Sequence, residues 1–225
     1  AEARHPQAKD LQARIWFHQA GNVKRDPAYV LRLWTDLEAH YTAELAASPQ
    51  DSVRMRNLAL VHKNTATFLT ARREFAAAAV QSAKALALDE RRLALSPGDP
   101  SVIMDLSFDH GSIGLSLAYS GRPGEGVPHL RRAVEIRREL AARDAQDKRM
   151  QDRLAWSIGN LARTLADHGA PAEAKTLFRE AIALRAAIGS PGSGDNSALD
   201  MHLRMARLLE RQGRDTEACS HWRAA

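Results

Sequence analysis

Leu154, Ile158, Leu161 and Leu165 stand at i, i+4, i+7 and i+11, one stripe of a helix with 3.6 residues per turn. Ala174, Phe178, Ala181 and Leu184, with Ile188 beyond, form a second stripe of the same period. Between the two, Gly169 suits a helix C-terminus and Pro171 the first turn of the next helix. This predicts two helices of roughly 18–20 residues joined by a tight turn, a helical hairpin. No segment sustains a period-2 alternation, so strands are not expected.

The pattern recurs along the chain. Leu58, Leu106 and Leu154 are 48 residues apart, as are Leu69, Leu117 and Leu165. Small residues keep the same spacing at Ala66, Gly114 and Ala162, at Ala78, Gly126 and Ala174, and at Ala85, Ala133 and Ala181. The connectors follow: Gly121 aligns with Gly169, Pro123 with Pro171, and the Ser-Pro-x-Asp stretch at Ser48–Asp51 with the one at Ser96–Asp99. Asp99 before Pro100 reads as an N-cap with proline at the first helical position. Two helices of a hairpin approach closely only where a side chain is small, so the small series mark inward contacts. A hairpin cannot bury both of its faces, so neighbours stack. The expected fold is therefore all-α: a right-handed solenoid of antiparallel helical hairpins, about four to five of them.

The ends are less regular. Residues 189–197, from Gly189 through Ser, Pro, Gly and Asp to Asn196 and Ser197, have a linker's composition. Beyond it the pattern resumes at an offset of 44, with His202, Met205, Ala206, Leu209, Gly213, Ala218 and Trp222 matching Ile158, Leu161, Ala162, Leu165, Gly169, Ala174 and Phe178. The expected organisation is a divergent N-terminal helix (around Gln7–Ala20) and loop over 1–28, hairpin repeats over 29–188, a linker over 189–197, and a final partial repeat over 198–225. The chain opens on Ala1 with no signal-peptide pattern, and is read as an excised piece of something longer or a processed product. No apolar run approaches the ~18 residues of a membrane span. A cytoplasmic rather than extracytoplasmic setting is the expectation.

Composition adds little to this picture. In 225 residues, Lys+Arg 32 against Asp+Glu 27 gives a net charge of +5. The densest basic stretch, Arg131 to Arg153, is interleaved with Glu135, Glu139, Asp144, Asp147 and Asp152, the pattern of a solvated helix face rather than a nucleic-acid track. Nucleic acid is accordingly not the expected partner. Cys219 is the only cysteine, which excludes an internal disulfide. No two of the nine histidines are three or four residues apart, so a two-histidine site on one helix is absent; Cys219 and His221 lack further ligands at metal-binding spacing. The glycines between Gly121 and Gly126 follow no strand and lead to no Gly-Lys-Ser/Thr. No catalytic residue, metal or cofactor is expected. His62, His110 and His202 share one repeat position with Ile158, which points to packing more than to a pH-sensing ladder.

Leu161-Ala162, Leu165, Ala174, Phe178 and Ala181, repeated in Leu209, Gly213, Ala218 and Trp222, resemble the signature positions of the tetratricopeptide repeat. The resemblance covers residues 30–225. The units here run 44–48 residues, where the usual repeat has about 34. The long unit, the Ser-Pro-x-Asp connector and segments such as 106–114 also resemble the arrays C-terminal to the catalytic domain of multidomain bacterial serine/threonine kinases. The chain itself lacks the His-Arg-Asp and Asp-Phe-Gly of a kinase.

The resemblance implies that the first helix of each hairpin lines a concave groove that grips a partner peptide. By position, the lining residues are Lys63 and Asn64; Phe108, Ser112 and Tyr119; Trp156, Asn160, Arg163 and Asp167; and Arg204, Arg207 and Arg211. Aromatic and arginine side chains are those that interface hot spots favour, and the cations suit an acidic ligand. The expected function is a non-enzymatic protein–protein interaction module, a regulatory or scaffolding part of a larger bacterial signalling protein. The alternative is a ligand-sensing module for a small acidic molecule or nucleic acid that controls an attached effector domain. Self-association is a further possibility.

Overall fold

The computed structural model describes residues 26–189 and 197–225. The helix expected around Gln7–Ala20 and the linker residues 190–196 lie outside them. The described residues form nine α-helices and no strand: α1 Pro27–Ala47, α2 Ser52–Ala71, α3 Phe75–Leu95, α4 Pro100–Tyr119, α5 Pro123–Arg143, α6 Lys148–Asp167, α7 Pro171–Ile188, α8 Ala198–Glu210 and α9 Asp215–Ala224. The fold class is the one expected, an all-α array of helical hairpins: α2–α3, α4–α5, α6–α7 and α8–α9, with α1 ahead of them.

Helix boundaries keep the 48-residue period. First helices start at Ser52, Pro100 and Lys148, and end at Ala71, Tyr119 and Asp167. Their starts are set by an aspartate recurring at the same spacing. Asp51 accepts from the backbone N–H of Val53 and Arg54 at 2.9 and 3.1 Å, Asp99 from that of Ser101 at 2.8 Å, and Asp147 from that of Met150 at 3.0 Å. Each satisfies a donor that the first helical turn leaves orphaned, typically worth about 1 kcal/mol.

The turn inside each hairpin is likewise one motif used four times. Glu74, Arg122, Ala170 and Arg214 donate their N–H to the carbonyls of Leu69, Leu117, Leu165 and Leu209, at 2.9 to 3.0 Å. This is the six-to-one bond of a Schellman closure, which needs a left-handed residue just before its donor. Gly121, Gly169 and Gly213 supply it with φ of 86°, 94° and 69°. In the first hairpin the position falls to Arg73, with φ 61°.

The chain divides into two compact units between Ser112 and Ile113. In the first, Leu33, Trp34 and Leu37 of α1 pack with Met55, Leu58 and Val61 of α2 and with Ala85 and Leu88 of α3. In the second, one cluster runs from Leu130 and Val134 of α5 through Leu154, Ile158 and Leu161 of α6 and Phe178 of α7 to Met201 and Met205 of α8. The small series are inward as expected: Ala66, Ala78, Ala85, Ala162, Ala174 and Ala181 are at most 1% exposed. Gly114 and Gly126 face one another. A Cβ built on Gly114 would stand 2.8 Å from the carbonyl oxygen of Gly126 and 2.6 Å from Cγ of Leu130, so neither glycine has room for a methyl group. Gly121 thus turns the chain, while Gly126, a member of the small series, lies inside α5 at a backbone-to-backbone approach.

Candidate functional site

Of the residues expected to meet a partner, Lys63, Asn64, Phe108 and Ser112 belong to the first unit. Lys63 on α2 reaches into a cluster of carboxylates, with Nζ 2.6 Å from Asp89, 3.3 Å from Asp109 and 3.4 Å from Asp105. Arg92 joins from α3, donating to Asp89 at 2.5 Å and to Asp105 at 2.8 Å. Three aspartates thus share two cations, and Asp89 and Asp109 are almost wholly buried. Burial pushes the Asp109 carboxyl up to about 8 against the opposing pull of Lys63, with Asp89 adding to the rise. Burial disfavours the Lys63 ammonium, but Asp109 and Asp89 outweigh it and hold its pKa above the ordinary value. Asn64 donates from Nδ2 to the Leu60 carbonyl at 2.7 Å on its own helix. Phe108 and Ser112 are exposed on α4.

The remaining residues belong to the second unit. Tyr119, at the end of α4, is 47% exposed and lies 5.4 Å beneath the guanidinium of Arg163. Trp156 is half-buried under the guanidinium of Arg137 at 5.5 Å. Asn160 is buried and accepts on Oδ1 from Arg163 at 2.8 Å. Arg163 is itself only 7% exposed, held between Asn160 and Tyr119.

Arg163 and Asp167 of α6, Arg204 and Arg207 of α8, and Arg211 just beyond it line one cleft of about 80 Å³, with Ala166 and the buried ring of Phe178 completing its wall. Helical spacing produces the gathering. Residues 163 and 167 are four apart, and 204, 207 and 211 follow at three and four, so each set occupies one helix face. Arg204 donates from Nε to Asp200 at 2.8 Å. Arg207, Arg211 and Asp167 are exposed and form no ion pair among the described residues. The cleft is an electropositive hollow over an apolar base, suited to holding an anion by charge-assisted hydrogen bonds.

Two features escaped the sequence reading. Asp89, Arg137 and Arg185 are 48 residues apart, at a position on the second helix of each hairpin, and are 0%, 1% and 2% exposed. Arg137 donates to the Arg153 carbonyl at 3.1 Å and to the Ser157 hydroxyl, and burial and Arg153 pull its pKa down to about 10. Arg185 donates to Asp152 at 2.5 Å. A charged residue recurring within the apolar register of a second helix was the available signal. The other feature is a pairing between the two helices of a hairpin at a spacing of nineteen: His62 Nδ1 lies 2.8 Å from Gln81 Oε1, and His202 Nδ1 lies 2.9 Å from His221 Nδ1. Burial lowers the pKa of both members of the second pair. No group of three or more His, Cys, Asp or Glu among the described residues is placed to hold a metal, and no described helix is long and apolar enough to cross a membrane.

Against known proteins, the family model for the tetratricopeptide repeat matches residues 154–189, which hold α6 from Leu154 onward, the turn and α7. No curated protein matches the chain. Solved structures do. The apo form of RapI superposes with a TM-score of 0.69 at 10% identity, over 95% of this chain and 68% of that one. Nearly identical TPR-like repeats from a kinesin light chain-like protein of Podosopora anserina give 0.65 at 18%, over 98% and 94%. BtubC (BKLC) from P. vanneervenii gives 0.61 at 13%, over 96% and 84%.

Proposed function

We propose that this chain, a tetratricopeptide-like repeat array, is a non-enzymatic protein-interaction module that takes an acidic segment of a protein partner in the arginine cleft of its second unit. The observation that carries the reading is the convergence of Arg163, Arg204, Arg207 and Arg211 from α6 and α8 on one cleft of about 80 Å³. The repeat scaffold supports it, since a series of near-identical hairpins presents side chains from separate segments on one surface. Asp167, at the edge of the same cleft, can accept a backbone N–H from the bound segment. The long unit and its Ser-Pro-x-Asp connector, by their resemblance to kinase-associated arrays, support a regulatory or scaffolding place within a larger bacterial signalling protein.

Selection from a displayed random-peptide library tests the reading. Peptides retained by the chain should be enriched in acidic residues, and an Arg204→Glu/Arg207→Glu variant that keeps its helical circular dichroism should lose them at least tenfold. Retention of the same peptides by that variant, or selection without acidic enrichment, would place binding elsewhere.

A further inference from the structure

The α8–α9 hairpin is closed by few contacts. Ala218 is the one buried residue of α9, and the one that α9 gives to the core cluster holding Met201, Met205, Leu208 and Leu209 of α8. Polar contacts do much of the rest. Trp222 donates from Nε1 to Glu210 at 2.6 Å, Glu217 meets Arg179 of α7 at 3.5 Å, and His221 faces His202 with Nδ1 to Nδ1 at 2.9 Å. The corresponding places of the α2–α3 hairpin hold His62 and Gln81, Nδ1 to Oε1 at 2.8 Å. The two pairs differ in what protonation does to them. An amide oxygen accepts from an imidazole N–H whether the ring is neutral or charged, so the His62–Gln81 bond survives acid. Between two imidazoles the bond needs one Nδ1 without a proton. One added proton leaves it in place; a second sets N–H against N–H and one positive charge against another. We propose that His202 and His221 form an acid-opened clip, which holds α9 on α8 at neutral pH and releases it when both rings are charged.

The surroundings set the direction of the response. Burial lowers both rings below the ordinary value of 6.5, and for His221 the neighbouring His202 and Arg179 add to the fall against the opposing pull of Glu217. Arg179 comes from α7 and Glu217 from α9 itself, where Arg214 also pairs with it. Glu210 of α8 is engaged by Trp222. Asp200 and Arg204 stand two residues either side of His202, about 200° round the helix from it, and Arg163 and Asp167 of α6 meet Arg204 on that other side. With both values lowered, the docked hairpin binds fewer protons than the open one. The clip's contribution is therefore complete above pH 6.5 and is lost as pH falls through the lowered values. Each proton by which the two forms differ shifts their equilibrium about tenfold per pH unit. A helix that buries one alanine has little apolar contact to resist such a shift, and its release bares the α8 side of the cluster.

NMR of the whole chain between about pH 7.5 and about pH 5 tests the clip, with the Trp222 indole N–H and the backbone amides of α9 as reporters of docking. In the parent chain the Trp222 resonance should leave its docked position as pH falls below 6.5. The α9 amides should lose about tenfold in protection over the next pH unit, measured against unstructured-peptide exchange rates, while those of α6 and α7 keep theirs. His221→Gln, which copies the His62–Gln81 pair, should keep α9 docked across the range. His202→Gln should do the same, so that if one variant fails to fold the other decides. An acid response undiminished in the folded variants would overturn the proposal and assign the opening to another group, such as Glu217. So would a parent chain whose α9 stays protected at pH 5 while both rings titrate at the ordinary 6.5, because the rings would then not be paired.

Discussion

Arg73 occupies a place that the repeat otherwise gives to glycine. Gly121, Gly169 and Gly213 turn their hairpins with positive φ, and Arg73 does the same at φ 61° with a Cβ to accommodate. The left-handed conformation costs an ordinary residue roughly 1–2 kcal/mol, while glycine gives back about 0.5–1 kcal/mol through its freer unfolded chain. Arg73→Gly should therefore stabilise the protein by about 0.5–1 kcal/mol, read as a higher urea midpoint at unchanged slope. The residue scale also shows how one position can change its chemistry while keeping its burial. Asp89, Arg137 and Arg185 fill the same register with different partners: Lys63 and Arg92 of its own hairpin for the first, the Arg153 carbonyl and Ser157 of the next hairpin for the second, Asp152 of its own hairpin for the third. Sequence periodicity reveals that such a position recurs; it does not reveal which side chain on another helix meets it.

At the scale of elements, the hairpin crossing is governed by the pair of small residues that faces across it. Ala66 and Ala78, and Ala162 and Ala174, hold methyl groups at positions where Gly114 and Gly126 have none. Alanine is the better helix former by about 1 kcal/mol, so propensity alone favours Gly126→Ala. Packing opposes it: the new Cβ would meet the Gly114 carbonyl and come within 3.2 Å of the Ala118 nitrogen, and backbone atoms cannot step aside as a side chain can. Overpacking of this kind typically costs about 1–3 kcal/mol. Gly126→Ala should thus lower stability, by about 1–3 kcal/mol in denaturant unfolding. Ala162→Leu, at a fully buried position, should do likewise. A stability gain in Gly126→Ala would mean that the helices of this hairpin do not approach as closely as described.

For the molecule as a whole, the buried cluster of Asp89, Asp105, Asp109, Lys63 and Arg92 makes stability depend on pH in the alkaline direction. Asp109 has its carboxyl pushed up to about 8 in the folded chain, against 3.8 in its ordinary state, so the native protein holds a proton that the unfolded one has lost. That contribution is complete below the unfolded value and disappears as pH rises through 8. Between about pH 7 and pH 9 the loss should be on the order of 1 kcal/mol, measurable as a falling urea midpoint, and Asp109→Asn should flatten the slope. The sequence by itself determined much of the protein. The 3.6-residue stripes, the 48-residue recurrence and the Asp, Gly and Pro punctuation specify helices, turns and hairpins, because each depends on side chains close along the chain. Only the tertiary structure decided that Lys63 is spent on three aspartates, that Tyr119 supports Arg163, and that Arg163, Asp167, Arg204, Arg207 and Arg211 close on one cleft. Helical periodicity fixes the direction of each side chain on its own axis, whereas the charge that a site presents is a sum over helices, settled only when they pack.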